Sequence, residues 1–139
     1  MVRKTLASAT FALALATGAA HAEDATTFTI GAHMPLTGSL ARSGHAFDEG
    51  MQVGVKMCNA LSPKYKVKVE VIDDESTPAK AVSAVEKLAA DGAVAIIGGY
   101  GSNIVGPASD ASDKLGKTYI TAGAVSNELT ARGLKTFFR

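Results

Sequence analysis

Residues 93–110 read AVAIIGGYGSNIVGPASD, and the reading of this stretch decides the fold. Its first five residues are apolar and β-rich, which predicts a buried strand over 93–97. Gly98, Gly99 and Gly101 predict a tight turn, and a helix opens near Ser102. Backbone N–H groups at a helix start have no intrahelical acceptor, and the helix dipole adds about half a positive charge there. A strand that passes through glycines into a helix start is therefore a candidate anion site. Serine is also among the best N-cap residues, worth about 1 kcal/mol for structure alone. Capping and ligand contact are both open for Ser102, and they are compatible.

The flanking segments extend the pattern. Residues 27–33 (TFTIGAH) predict a first strand. Residues 34–44 predict a loop, broken by Pro35, Gly38 and Gly44. A helix follows from His45 to about Ala60, with Phe47, Met51, Val55 and Cys58 on one apolar stripe. On that stripe Cys58 reads as a small buried hydrophobe rather than a nucleophile. Gly50 and Gly54 would let the helix approach a sheet closely, and Asp48 and Glu49 fall in its first turn. Residues 65–72 (YKVKVEVI) alternate, with Tyr65, Val67, Val69 and Val71 on one face, as a strand near a sheet edge does.

Asp73, Asp74 and Glu75 then predict a solvated acidic corner. Ser76 or Thr77 caps the next helix, Pro78 takes a favoured first-turn place, and Gly92 closes it. Val82, Val85, Leu88 and Ala89 face inward. The third helix ends near Gly116, residues 118–122 (TYITA) make a fourth strand, residues 128–132 a short helical turn, and residues 136–139 begin a fifth strand. Strand and helix alternate, so the expected fold class is α/β: a parallel sheet flanked by helices on both faces, with right-handed crossovers. Ligands gather beyond the carboxyl ends of such strands, which selects the loops at 35–44, 98–102 and 123–127.

Composition narrows the class of protein. Residues 1–22 carry Arg3 and Lys4, a short apolar run and an Ala20-His21-Ala22 cleavage signal, and so read as a secretory signal peptide. The apolar run is well short of the roughly 20 residues a membrane span needs. Residues 23–139 then form one domain of 117 residues with twelve basic and thirteen acidic side chains, net −1. No basic block remains, so nucleic acid is not an expected partner. Cys58 is the only cysteine, which leaves no internal disulfide. The chain ends on Phe137, Phe138 and Arg139 within an element, as part of a longer protein would.

Spacing removes the commoner chemistries. A dinucleotide fingerprint needs glycine at position 104, which is Ile104, and an acid after the next strand, where Ala122 and Gly123 stand. A nucleophile elbow around Ser102 needs glycines where Tyr100 and Ile104 lie. His33 and His45 have no metal-ligand spacing and read as loop-side or solvated histidines. Paired acids such as Asp73 and Asp74 follow the second strand rather than the first, unlike a phosphoacceptor pocket. No catalytic constellation, metal site or cofactor is expected.

The ordered set IGAHMPLTGSLARSG, IDDESTPAKAVSAVEKLAADG, AIIGGYGSNIVGPASD and YITAGAVSNELTARG resembles the periplasmic substrate-binding proteins of branched-chain amino-acid ABC transporters, the leucine/isoleucine/valine-binding family. The resemblance runs over residues 28–139. It implies a type I periplasmic binding fold, two α/β lobes closing on a hydrophobic amino acid or related small amide or acid, delivered to a membrane permease. This chain would hold a signal peptide and part of the first lobe, and would bind weakly or not at all by itself. The full-length protein is expected to be periplasmic and monomeric, and not an enzyme.

Carried across by position, Ser102 matches the serine that bonds the ligand carboxylate, and Gly123 and Ala124 match small residues whose backbone lines the pocket. Val125 stands where the family has a threonine, and Ser43 where it often has an aromatic. The disulfide of the best-known members has no counterpart. With Tyr100 presented at the turn, these departures point away from leucine toward an aromatic acid, an amide or another small carboxylate. A ligand-sensing receptor domain of the same fold is the alternative within the binding class, and an exported hydrolase-like or nucleotide-dependent enzyme is the alternative outside it.

Overall fold

The computed structural model describes residues 25–139, so the signal-peptide expectation lies outside the described residues. Five strands, β1 (Thr26–Met34), β2 (Tyr65–Asp73), β3 (Ala95–Gly98), β4 (Thr118–Ile120) and β5 (Phe137–Phe138), alternate with four helices. These are α1 (Ala41–Leu61), α2 (Pro78–Ala90), α3 (Ser102–Lys114) and the short α4 (Glu128–Ala131). The sheet is parallel throughout, in the order β2-β1-β3-β4-β5.

The chain steps from β1 to β2 in one direction and from β2 through β5 in the other. Right-handed crossovers therefore place α1 on one face and α2 and α3 on the opposite one. The main core lies on the α2/α3 face, where Val85, Leu88, Ile96, Ile104, Val105 and Tyr119 are buried together. Gly31 in β1 is the point of closest approach, since a Cβ there would lie 2.8 Å from Leu88 Cβ. On the α1 face Ile120 and Phe138 remain exposed, and an apolar trough of about 360 Å³ opens between Met34, Phe47, Met51, Ile97 and Ile120.

The structure corrects the expectations for α1. The helix begins at Ala41, not His45, so Asp48 and Glu49 lie beyond its first turn. Gly44 is inside the helix and buried, because a Cβ there would lie 2.0 Å from the Pro35 carbonyl oxygen. Gly50 and Gly54, expected at a close approach, have nothing within 4 Å of a built Cβ. Cys58 is exposed. The inward row keeps a spacing of four, Phe47, Met51, Val55 and then Asn59, and turns Cys58 about 100° away. Asn59 donates to the Val67 carbonyl at 2.9 Å and accepts from the Val67 amide at 2.7 Å. It thereby covers the open edge of β2, the edge position that the alternation at 65–72 predicts.

Helix α2 begins with Pro78 and is followed by Gly92 at φ +92°, as the sequence predicts. Thr77 occupies the N-cap without a side-chain capping bond; its hydroxyl donates instead to the Asp74 carbonyl at 3.3 Å.

Candidate functional site

The strand order changes direction between β1 and β3, which opens a crevice beyond their carboxyl ends. Three loops meet there: 35–40 after β1, 99–101 after β3 and 121–127 after β4. The glycines around Tyr100 answer to backbone conformation and close contacts. Gly98, Gly99 and Gly101 have φ of +112°, +70° and +89°. A Cβ on Gly98 would lie 2.4 Å from the His33 carbonyl oxygen. One on Gly99 would lie 2.7 Å from both the Tyr119 hydroxyl and Val105.

The N-cap of α3 is Gly101, and no side chain caps it. Capping by Ser102, one of its two open readings, is therefore not what the structure shows. Ser102 is the first helical residue, and its hydroxyl oxygen accepts from the Ser126 amide at 3.0 Å. A hydroxyl whose oxygen is occupied in this way keeps its proton for another acceptor. The Ser102 and Asn103 amides, at the first two helical positions, have no intrahelical acceptor. Hydroxyl, amides and the positive helix end together suit a carboxylate.

Tyr100 and Gly123 form a parallel bridge, and Gly101 N–H reaches the Gly123 carbonyl at 3.4 Å. Gly123 must lack a side chain, since a Cβ there would lie 2.6 Å from Tyr100 Cδ2. The Tyr100 ring also meets Phe47 of α1, centroids 5.6 Å apart. The structure thus brings Tyr100, Ser102 and Gly123 together. Ala124 is buried, with its side chain in the core cluster, and Val125 is exposed at the loop tip. Ser43 sits in the first turn of α1, where its amide bonds Leu40, and makes no hydrogen bond to the other candidates.

The sequence does not single out Ser126, Phe47 or Leu40 as site residues. Leu40 is the side chain from the first loop that nears the turn, 3.3 Å from a Cβ built on Gly101. The serine of the 123–127 turn was the only available signal for Ser126.

Two expectations about charged groups are overturned. His33 is fully buried rather than loop-side, near the end of β1. Asp74 is fully buried rather than solvated, because it takes His33 Nδ1 at 2.8 Å and the Ser76 amide at 3.0 Å. Asp73 accepts from the Leu36 and Thr37 amides, the Thr37 hydroxyl and the Glu75 amide. Burial alone would raise its carboxyl, but these bonds, led by Thr37, hold it below the usual range. Ser76 completes the tie by donating to the Thr37 carbonyl at 2.7 Å and accepting the Leu40 amide at 3.0 Å. The acidic corner is thus the clamp that shapes the loop after β1.

A glycine turn, a helix start and a proton-bearing serine at the switch point of a parallel sheet are an arrangement suited to a small anionic ligand. Residues 27–138 match the family described as periplasmic binding protein, and the chain belongs to that family. It is 32% identical over 138 residues to a Leu/Ile/Val-binding protein homolog 3 of Brucella melitensis, covering 98% of this chain and 37% of the relative. It is 33% identical over 141 residues to the Leu/Ile/Val-binding protein BraC3 of Rhizobium johnstonii, covering 100% and 37%. Among solved structures it resembles the branched-chain amino-acid transporter substrate-binding protein LivJ of Streptococcus pneumoniae, in complex with isoleucine, with a TM-score of 0.77 and 28% identity over 81% of this chain and 33% of that one. The chain therefore spans little more than a third of the length of these relatives.

Proposed function

We propose that the protein is the solute-binding component of an ABC importer. In this reading it holds the carboxylate of a hydrophobic amino acid, or of a related small acid, in the periplasm and delivers it to a membrane permease. The observation that carries the reading is the Ser126 amide bond to Ser102, which leaves the serine proton and the start of α3 free for an anion. The similarity to proteins named for leucine, isoleucine and valine binding supports the ligand class. Residues 1–22 act in this reading as the export signal, and residues 23–139 as part of a first lobe. The groups for the other end of the ligand lie in the remaining length that the relatives have.

In this reading Tyr100 and the backbone of Gly123 and Ala124 line the pocket beside Ser102, with Val125 at the loop tip and Ser43 in the first turn of α1. The Tyr100–Phe47 pair stands next to the cradle, so an aromatic wall is supplied from the turn after β3 and from α1. Val125 cannot offer the hydroxyl that a threonine would. Together these features favour an aromatic or amide-bearing acid over leucine. Isothermal titration of the protein from the complete reading frame, against leucine, isoleucine, valine, phenylalanine and benzoate, tests both levels. Tight binding of all three branched amino acids would overturn the altered specificity, and binding of no small carboxylate would overturn the function.

A further inference from the structure

A chain of three buried side chains runs directly beneath the glycine turn. Asp74 Oδ2 lies 2.8 Å from His33 Nδ1, and His33 Nε2 lies 2.5 Å from the Tyr119 hydroxyl. All three residues are 0% exposed. They come from β1, the corner after β2, and β4, so their meeting ties three parts of the site's floor together. Apolar side chains would fill such a space with less desolvation, and the polar chain therefore calls for an explanation.

What rests on the chain supplies one. Gly98 pairs with His33 across the sheet, and the Gly99 amide donates to the His33 carbonyl at 2.8 Å. A Cβ on Gly99 would lie 2.9 Å from His33 Cε1, so the turn sits in contact with the imidazole and the phenol. The Tyr119 oxygen is 3.5 Å from the Gly98 carbonyl. Two residues further on, Gly101 caps α3 and Ser102 begins it.

We propose that His33 is a positioning residue for the ligand site. With Asp74 and Tyr119 it sets the seat of the Gly98–Gly99 turn, and so the aim of the Ser102 amide and hydroxyl. The inference rests on the carboxylate reading of Ser102. A carboxylate at Asp74 only accepts, so Nδ1–H donates to it, and Nε2 accepts from the Tyr119 hydroxyl. The phenol oxygen stands beside the Gly98 carbonyl of the turn, so a displaced ring would displace the turn with it. Among the described residues Asp74 and Tyr119 are the side chains that hydrogen-bond the ring. Arg132, just after α4, stands behind Tyr119, over the Phe137 ring that stacks on it, and β3 offers only backbone. Burial, reinforced by Asp74, pushes the Tyr119 hydroxyl up, so it remains a neutral phenol.

The test uses the protein from the complete reading frame. Amide resonances of Gly98, Gly99 and Ser102 are followed by NMR, beside calorimetric titration of L-phenylalanine. His33→Leu should move those amides and weaken phenylalanine binding about tenfold, as the loss of a buried bond would. His33→Gln keeps one donor and one acceptor, so it should return the amides toward their wild-type positions and recover most of the affinity. A merely structural histidine would lower thermal stability in both variants and leave the affinity unchanged. A His33→Leu protein with wild-type turn amides and wild-type affinity would overturn the proposal. If the wild type does not bind phenylalanine, that ligand class fails separately, and the amide positions alone decide. If His33→Leu does not fold, Tyr119→Phe, which removes only the partner of Nε2, is read in the same way.

Discussion

The Ser126 amide and the Ser102 hydroxyl oxygen are 3.0 Å apart, a bond that joins the loop after β4 to the start of α3. It fixes the place of the serine and leaves its proton for another acceptor. In the proposed carboxylate site, Ser102→Ala removes the hydroxyl offered to the ligand and leaves the Ser126 amide without its partner. A hydrogen bond to a charged group is worth about 1.5–3 kcal/mol, so affinity for the bound acid should fall roughly 10- to 100-fold. The part-buried Ser126 amide can still reach water, so stability should fall by no more than about 1 kcal/mol. Calorimetric titration and urea unfolding of the complete protein separate the two effects. A large stability loss with unchanged affinity would count against the ligand role.

Gly99 and Gly92 provide a matched pair. Both have positive φ, +70° and +92°, so alanine is strained at either by about 1–2 kcal/mol. At Gly92 a Cβ meets nothing within 4 Å, and that conformational cost should be the whole effect. At Gly99 a Cβ falls 2.7 Å from the Tyr119 hydroxyl and from Val105, so an overpacking cost of about 1–3 kcal/mol is added. Gly99→Ala should also disturb the carboxylate site, whereas Gly92→Ala, at the far end of α2, should bind normally. Urea midpoints at constant m-value, with titrations alongside, check this.

The contrast shows what a sequence carries. The run from Ala93 to Asp110 announces its strand, turn and helix because glycine need, apolar runs and caps are local properties. The strand-helix alternation and the right-handed crossover rule then lead to the switch point. The buried pairing of His33 with Asp74 spans 41 residues and exists only after β1 and β2 lie side by side. Each residue alone reads as a surface polar group. Gly44 misled for a similar reason: it looks like a helix breaker, yet it is needed inside α1 because Pro35 packs against it. Cys58 and Asn59 exchanged roles because a spacing of three or four is equally helical, and only the edge of β2 selects between them.

Asp73 makes the loop after β1 sensitive to acid. Its carboxyl is held below its ordinary value in the folded protein, so the folded state binds that proton less readily than the unfolded chain. The contribution is therefore present above the unfolded value of about 3.9 and is lost as pH falls through the lower folded one. Asp73 is only partly buried, so solvent screening keeps the effect small. Below about pH 4 the amides of Leu36 and Thr37 should lose hydrogen-exchange protection, relative to unstructured amides at the same pH, before the core does. Asp73→Asn should show faster exchange there even at neutral pH, because one amide group cannot accept all four bonds equally well.

Asn59 tests the edge. Replacing it by Leu keeps the helix and adds apolar bulk, which by itself favours burial against β2. Against this, the Val67 amide and carbonyl lose both partners at 2.7 and 2.9 Å. Unmade bonds to part-buried backbone cost about 1–3 kcal/mol, more than one half-buried leucine returns, so Asn59→Leu should be destabilising by about 1–2 kcal/mol. Lys66 does not replace the lost contacts, since its ammonium is engaged with the Asn59 and Ser62 carbonyls. The freed strand edge also becomes a template for a second copy, so concentration-dependent association should rise with the loss of stability. Light scattering and urea unfolding measured on one sample read the two effects together. Unchanged scattering beside a lowered midpoint would mean that Asn59 serves packing and does not guard the edge.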